Sequence, residues 1–180
     1  MPSTDPQCLS KYQRIVAIAV DDLTTSETVI EWAAHHCLQP SDVALLINAF
    51  EGLEPLSNAE QSKRLTHAAQ RHSVATLQHL EQRLRETGTR AEIRTVSVMG
   101  EARHAVLEVV KQFGANVLIV GSNDLGNATR MVVGSVRRYC KQHCFCPVIE
   151  VKTPAADRVF PICRLISSQP GQKGVGKPIS

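Results

Sequence analysis

The sequence predicts a single α/β domain built on a parallel β-sheet with helices on both faces. Short apolar runs rich in β-branched residues alternate along the chain with helical patterns of ten residues or more. Parallel strands need crossover connections of that length, and helices in those crossovers cover the sheet. The chain has 180 residues, of which 43% are hydrophobic and 21% charged, which is enough for one such domain with a buried core.

Five segments have the composition of strands, and helical patterns lie between them. The strand segments are 14–21, 43–50, 91–100, 116–121 and 147–152. The helical segments are 22–37, about 59–87, 101–114 and 131–143. Ser26 or Thr25 is expected to cap the first helix. Parallel pairing through right-handed crossovers then gives a layered sheet of five strands, for which we expect the order 3-2-1-4-5, a doubly wound order that makes the first and fourth strands neighbours.

Residues 13–152 are expected to hold the domain, between a flexible N-terminus (1–12) and a C-terminal tail (153–180) that prolines and glycines interrupt. The tail has four basic residues and one acidic residue, so it accounts for the formal net charge of +3 and leaves residues 1–152 about neutral. Nucleic-acid binding needs clustered Lys and Arg, so none is predicted. No apolar run reaches the roughly 20 residues of a membrane span, and no secretory signal pattern opens the chain. We therefore expect a cytoplasmic protein.

Two further motifs have more than one interpretation. The segment CKQHCFC places Cys140, Cys144 and Cys146 beside His143, which is compatible with a metal or redox cluster. A structural role is favoured, because zinc sites usually combine Cys-x-x-Cys pairs with distant ligands. The segment GQKGVGK at 171–177 has the letters of a P-loop. It lacks the flanking strand, the following helix and the Ser or Thr that the motif needs, so it is interpreted as a chance match.

The stretch GSNDLGNATRMVVGS, residues 121–135, leaves the fourth predicted strand and enters a helix. Free backbone amides at a helix N-terminus attract anions. Asp21 stands at the end of the first strand, which neighbours the fourth where the winding of the sheet reverses. We therefore expect Asp21 and Gly121 to face one crevice at the carboxyl ends of the strands.

These segments resemble the universal stress protein family over nearly all of residues 14–152. The resemblance rests on VDDLTTSETVIEWA, on GEARHAVLEVVKQFGANVLIVGS and on GSVRRYCKQHCFCPVIEVK. The nucleotide-binding signature of the family is G-x-x-G, nine residues, then G-[ST]; this chain has G-S-N-D, nine residues, then G-S. The resemblance implies a Rossmann-like, adenine nucleotide alpha hydrolase-like fold. It also implies a regulatory or sensor protein of the stress response that binds ATP or AMP, with or without Mg²⁺, and hydrolyses ATP slowly at most.

The resemblance also implies roles for individual residues. Asp21 would contact the adenosine, beside a base pocket lined by Ala19 and Val20, with Ala49 along the adenine and Val120 near the ribose. The phosphates would lie against the glycine signature. The complete cofactor site so implied consists of Ala19, Val20, Asp21, Ala49, Val120, Gly121, Ser122, Asp124, Gly134, Ser135 and Val136.

Asp124 departs from the signature, because it occupies the position of the second glycine. A carboxylate about 5 Å from one phosphate charge costs roughly 3 kcal/mol at an effective dielectric constant near 20. That cost would be reduced if Asp124 pointed to solvent, if a small shift of the loop brought Gly126 to the position of the second glycine, or if the carboxylate coordinated Mg²⁺. The alternative hypothesis is a dimerisation and interaction module of the same fold in which Asp124 has impaired the pocket.

The last predicted strand, Pro147 to Lys152, would lie at an edge of the sheet, and exposed edges need covering. In the family that the chain resembles, this strand pairs with its copy in a second subunit, so a homodimer is expected. No Ser/His/Asp order, carboxylate pair or Cys/His nucleophile is evident, so no dedicated enzyme is predicted.

Overall fold

The structure is a computed structural model that describes residues 13–21, 23–52, 59–123, 131–153 and 162–166. For residues 23–24, 122–123, 131–135, 153 and 162–166 it describes the backbone alone. Among the helices within these ranges, none combines the length and the apolar character that crossing a bilayer requires.

Five parallel strands form the centre of the molecule. They are β1 (Ile15–Val20), β2 (Val43–Phe50), β3 (Glu92–Met99), β4 (Val117–Asn123) and β5 (Val148–Thr153). Their order in the sheet is β3-β2-β1-β4-β5, which confirms the predicted order 3-2-1-4-5. β1 pairs with β2 on one side and with β4 on the other, so the winding of the sheet reverses at β1 and β4.

Two helices cover each face of this sheet. They are α1 (Leu23–His36), α2 (Ala59–Glu86), α3 (Ala102–Phe113) and α4 (Met131–His143). α1 and α2 pack on one face, where Leu77, Leu80 and Leu84 form a narrow apolar stripe of α2 and are buried. α3 and α4 pack on the other face, where Val106 and Val110 of α3 enter a second apolar core.

A sixth strand, β6 (Ile162–Ile166), pairs antiparallel with β5 and extends the sheet beyond the five predicted strands. The prediction that residues 153–180 form only a tail is therefore wrong for this segment. The prediction that Pro147 to Lys152 lies at the edge of the sheet is also wrong, because residues 148–152 pair with 162–166. The otherwise open edge of β5 provides hydrogen-bonding partners for the backbone of the short segment Ile162–Ile166.

The amino end of the sheet is held by an ion pair. Arg14 donates two hydrogen bonds to Asp42, from Nε to Oδ1 over 3.0 Å and from a terminal nitrogen to Oδ2 over 2.7 Å. Oδ2 also accepts the backbone N–H of Gln39 over 2.7 Å. The Asp42 side chain is 1% exposed, so these donors replace the water that its carboxylate loses. This contact lies at the opposite end of the strands from the predicted crevice.

Candidate functional site

A cavity opens at the carboxyl ends of β1, β2 and β4, where parallel sheets of this kind bind ligands. It lies between α1 on one face of the sheet and α3 and α4 on the other. Its empty volume is about 590 Å³, part of it open to solvent, which falls in the usual range for small-molecule sites. The described residues that line it are Ala19, Val20, Asp21, Thr25, Ser26, Val29, Ala49, Ala102, Val106, Val120, Gly121, Val136 and Arg137.

The structure brings most of the predicted site residues to this one cavity. Asp21 and Gly121 face the same crevice, as the topology predicts. Ser122 is in β4, and Gly134 and Ser135 are in the first turn or so of α4, where only the backbone is described. Asp124 lies outside the described residues. The predicted residues that line the cavity are Ala19, Val20, Asp21, Ala49, Val120, Gly121 and Val136.

Asp21 supplies the carboxylate of the cavity, and its neighbours fix its position. Its backbone N–H donates to Ser26 Oγ over 3.0 Å, and that hydroxyl lies 3.4 Å from Asp21 Oδ1. Asn48 of β2 donates from its side-chain amide to the carbonyl of Val20 over 2.8 Å. The prediction that Ser26 or Thr25 caps α1 is wrong, because the helix begins earlier, at Leu23. Ser26 instead accepts the hydrogen bond from the N–H of Asp21 at the end of β1.

Gly121 allows α1 to lie directly on β4 at the wall of the cavity. A Cβ atom at this position would stand 2.9 Å from Val29 Cγ2 and 3.1 Å from Thr25 Cγ2. The absence of a side chain at Gly121 therefore allows a helix to approach the strand closely. Any larger residue would push α1 away from the sheet and change the shape of the cavity.

Arg137 of α4 brings a positive charge to the cavity. Its guanidinium forms an ion pair with Glu150 of β5, whose second carboxylate oxygen lies 2.5 Å from Lys141 Nζ. The Glu150 side chain is 5% exposed, whereas that of Arg137 is 32% exposed. One carboxylate thus meets two cations, and this group of three side chains has a net charge of +1. Among the described lining residues, Arg137 is the sole basic side chain.

Six lining residues were missed by the sequence interpretation. Thr25, Ser26 and Val29 line the cavity because α1 packs so closely on β4 at Gly121. Ala102 and Val106 come from the start of α3, which follows a strand that ends at the same side of the sheet. Arg137 could have been found, because it follows Gly134 by three residues, about one helical turn. The remaining residues depend on helix positions that periodicity does not specify.

The chemistry of the described cavity is that of an apolar slot with one carboxylate and one guanidinium. Such a site can enclose a flat apolar ring and hold its polar substituents at the two charged groups. Within the ranges that the structure describes, no three His, Cys, Asp or Glu side chains cluster so as to hold a metal ion.

Comparisons of the sequence and of the structure with known proteins agree on one family. The model of the universal stress protein family matches residues 11–152. The universal stress protein PHOS32 of Arabidopsis thaliana is 27% identical over 168 residues, which cover 83% of this chain and 69% of that protein.

Solved structures share the fold. A universal stress protein family protein from Arabidopsis thaliana with AMP bound superimposes with a TM-score of 0.58 at 19% identity, covering 79% of this chain and 93% of the other. A universal stress protein of Archaeoglobus fulgidus in complex with dAMP gives a TM-score of 0.53 at 19% identity, covering 77% and 97%. The order of the strands, the position of the cavity and the match over residues 11–152 agree, and the chain belongs to the universal stress protein family.

Proposed function

We propose that this protein binds an adenine nucleotide, ATP or AMP, in the cavity at the carboxyl ends of β1 and β4, and acts in the cytoplasm as a regulator or sensor of stress. One observation carries the proposal: seven residues expected to contact the nucleotide line a single cavity. Their positions in the sequence range from 19 to 136, so their convergence depends on the fold.

The chemistry of the lining suits the parts of a nucleotide. The apolar side chains of Ala19, Val20, Ala49 and Val120 can enclose an adenine ring without competing for its polar edge. The Asp21 carboxylate can accept hydrogen bonds from ribose hydroxyls, since it is exposed and held by Ser26.

The phosphates would extend toward the start of α4. Backbone amides in the first turn of a helix are without partners inside the helix, and the helix dipole favours negative charge there. Because α4 begins at Met131, Gly134 lies in its first turn, whereas Ser135 and Val136 lie just beyond it. In the proposed complex, Gly121 and Gly134 would hold the phosphates through backbone amides and Ser135 through its hydroxyl, with Ser122 and Val136 beside them in the same signature. Solved relatives with AMP and dAMP support a monophosphate at the least. Binding of ATP with Mg²⁺ goes beyond the ligands of these relatives and needs a direct test.

Calorimetric titration of the full chain with AMP, and with ATP in the presence and absence of Mg²⁺, tests the proposal. We expect saturable heat with at least one nucleotide. Asp21→Ala should weaken binding about tenfold, because a charge-assisted hydrogen bond contributes about 1.5 kcal/mol. Glu86→Gln removes an exposed acid at the opposite end of the strands and should leave binding unchanged. Absence of both heat and a thermal shift at millimolar nucleotide would overturn the proposal.

Asp124→Gly distinguishes loss of the pocket from loss of one contact. If the native chain does not bind and this variant does, the chain is the interaction module of the alternative hypothesis, and Asp124 is the cause. If both bind and removal of Mg²⁺ weakens the native chain more, Asp124 contributes to the magnesium site.

We also propose a homodimer that forms through β5 and competes with β6. A two-fold axis through an edge strand pairs it antiparallel with its copy. β6 runs antiparallel to β5 and uses the hydrogen-bonding groups that such a copy would need. Dimerisation through residues 147–152 therefore requires β6 to dissociate from β5.

Light scattering on the full chain, on a chain that ends at residue 166 and on a chain that ends at residue 153 tests this competition. The first two chains keep β6, whereas the third lacks it. We expect the shortest chain to dimerise at lower concentration than the other two, because its β5 edge is open. Equal self-association of all three chains would place any dimer interface elsewhere.

A further inference from the structure

The connection between α4 and β5 contains two thiols in contact. α4 ends at His143, and the N–H of Cys144 donates to the carbonyl of Cys140 over 2.9 Å, which extends the last turn of the helix. One residue later the chain turns toward β5, and this turn brings the sulfur atoms of Cys144 and Cys146 to 3.4 Å. Both residues are free thiols. The contact results from the end of the helix and is not implied by the C-x-C spacing alone.

The two thiols differ in their access to solvent. Cys146 is 5% exposed and belongs to the core between the sheet and α4, whereas Cys144 is half-buried. Phe145, between them, is 60% exposed, so the connection lies at the surface. Cys144 is therefore the more exposed residue of the pair, and Cys146 is the buried one.

The two thiols also differ in their protonation. The hydrogen bond from the Cys146 thiol lowers the pKa of Cys144 to about 7, and the same contact raises the pKa of Cys146. Burial raises the pKa of Cys140 to about 12, so that third thiol keeps its proton. At neutral pH Cys144 is thus the nucleophile of the cluster, since the thiolate is the reactive form.

We propose that Cys144 and Cys146 are a reversible redox modification site that small hydroperoxides oxidise to an intrachain disulfide. The proposal is independent of nucleotide binding. It assigns Cys144 the role of the attacking thiolate and Cys146 the role of the resolving thiol.

The reaction has two balanced steps. The Cys144 thiolate attacks the terminal oxygen of the hydroperoxide, the O–O bond breaks, and the alkoxide leaves and takes a proton from water. Cys144 is then a sulfenic acid. The Cys146 sulfur gives up its proton and attacks the Cys144 sulfur; the S–O bond breaks, and hydroxide leaves with that proton as water. The two thiols are oxidised to a disulfide, and the hydroperoxide is reduced to an alcohol and water.

The product suits a reversible site. A disulfide that closes across a single residue forms a small ring with little torsional freedom, and strained or exposed disulfides are reduced more easily than structural ones. A thiol reductant of the glutathione or dithiol class would therefore regenerate the pair.

Peptide mass analysis of the full chain tests the proposal, because trypsin separates the thiols of the cluster. Cleavage after Arg138, Lys141 and Lys152 leaves Cys140 in one peptide and the pair alone in the peptide 142–152. The folded chain is treated with hydrogen peroxide or tert-butyl hydroperoxide, quenched in acid, alkylated and digested. We expect the peptide 142–152 to lose two hydrogen atoms and carry no alkyl group, while Cys140 is alkylated. Dithiothreitol should restore both alkylation sites.

Single variants check the two roles. In Cys146→Ser, oxidation should stop at a sulfenic acid on Cys144 that dimedone traps; in Cys144→Ser, Cys146 should stay reduced. Cys37→Ser, a half-buried thiol of another helix end, is the matched control and should form the disulfide as the native chain does. If the variants at 144 or 146 fail to fold, the mass of the native peptide decides. A disulfide to Cys140 or to a second chain, or a peptide 142–152 that stays reduced while Cys37 is oxidised, would overturn the proposal.

Discussion

The guanidinium of Arg137 and the carboxylate of Glu150 form an ion pair that connects α4 to β5 beside the cavity. Lys141, one turn further along α4, reaches the second carboxylate oxygen of Glu150 over 2.5 Å. Glu150 itself is buried. Only the first of the two cations lines the cavity, so a structural role and a ligand-binding role can be separated by experiment.

Arg137→Gln is expected to weaken ATP and AMP binding about tenfold and to leave adenosine binding unchanged. The substitution removes the sole basic side chain among the described lining residues, and a guanidinium on a phosphate contributes about 1.5 kcal/mol. Calorimetric titration with the three ligands gives the comparison.

Lys141→Gln is the matched control for this variant. Each of the two variants removes one partner of Glu150, so each should lower the free energy of unfolding by about 1 to 2 kcal/mol. The affinity of Lys141→Gln for nucleotides should be that of the native chain. Equal losses of affinity in both variants would mean that the charge network acts on the cavity only through its structure.

Ser26→Ala is expected to weaken AMP binding roughly threefold to tenfold, because Asp21 loses the hydroxyl that holds its backbone and its carboxylate. The cost in unfolding free energy should be about 1 kcal/mol. Ser73→Ala provides the comparison: Ser73 is also buried, its Oγ lies 2.7 Å from Ser97 Oγ, and neither serine lines the cavity. A similar loss of AMP affinity in both variants would contradict a positioning role for Ser26.

The parallel part of the fold is predictable from sequence, because apolar β-branched runs and long amphipathic helices leave few alternatives for the connection of strands. β6 was missed because its five residues lie in a sequence interrupted by prolines and glycines and carry no periodic pattern. A strand of this kind forms only where another strand offers an open edge, and that edge exists only in the folded sheet.

The candidate site is predictable at the ends of the strands and less so on the helices. Asp21 and Gly121 follow from the strand order alone. Arg137 and Ser26 depend on where α4 and α1 begin and on how closely α1 approaches Gly121, which is decided by packing. The segment CKQHCFC indicated a thiol cluster, but only the turn after α4 determines which two sulfur atoms meet.

Asp42→Ala is expected to lower the free energy of unfolding by about 3 kcal/mol. The substitution leaves Arg14 and the N–H of Gln39 without their shared acceptor at the amino end of the sheet. Urea unfolding followed by circular dichroism measures the change. Glu81→Ala, which removes a surface ion pair with Arg85, should cost about 0.5 kcal/mol or less. Nucleotide affinity should stay unchanged in both variants, since neither residue lines the cavity.

The alkylation rate of Cys144 is expected to rise with pH and to reach half its maximum near pH 7. The pKa of Cys144 is lowered to about 7 because the Cys146 thiol donates a hydrogen bond to its sulfur. The reactive thiolate is therefore about half populated at pH 7 and falls to roughly a tenth at pH 6. An ordinary thiol with a pKa near 8.5 is only about 3% thiolate at pH 7. The lower intrinsic nucleophilicity of a low-pKa thiolate reduces this advantage to a rate about threefold higher.

Iodoacetamide labelling of the peptide 142–152 between about pH 5 and pH 9, read by mass spectrometry, measures this midpoint, because the range extends about two pH units on each side of the pKa of Cys144. In Cys146→Ser the thiol donor is replaced by a hydroxyl, which still donates a hydrogen bond, so the midpoint should shift little. In Cys146→Ala the donor is lost, and the midpoint should move upward toward that of an ordinary thiol. A midpoint near 8.5 in the native chain, unchanged in Cys146→Ala, would show that the two sulfur atoms do not share a proton in solution.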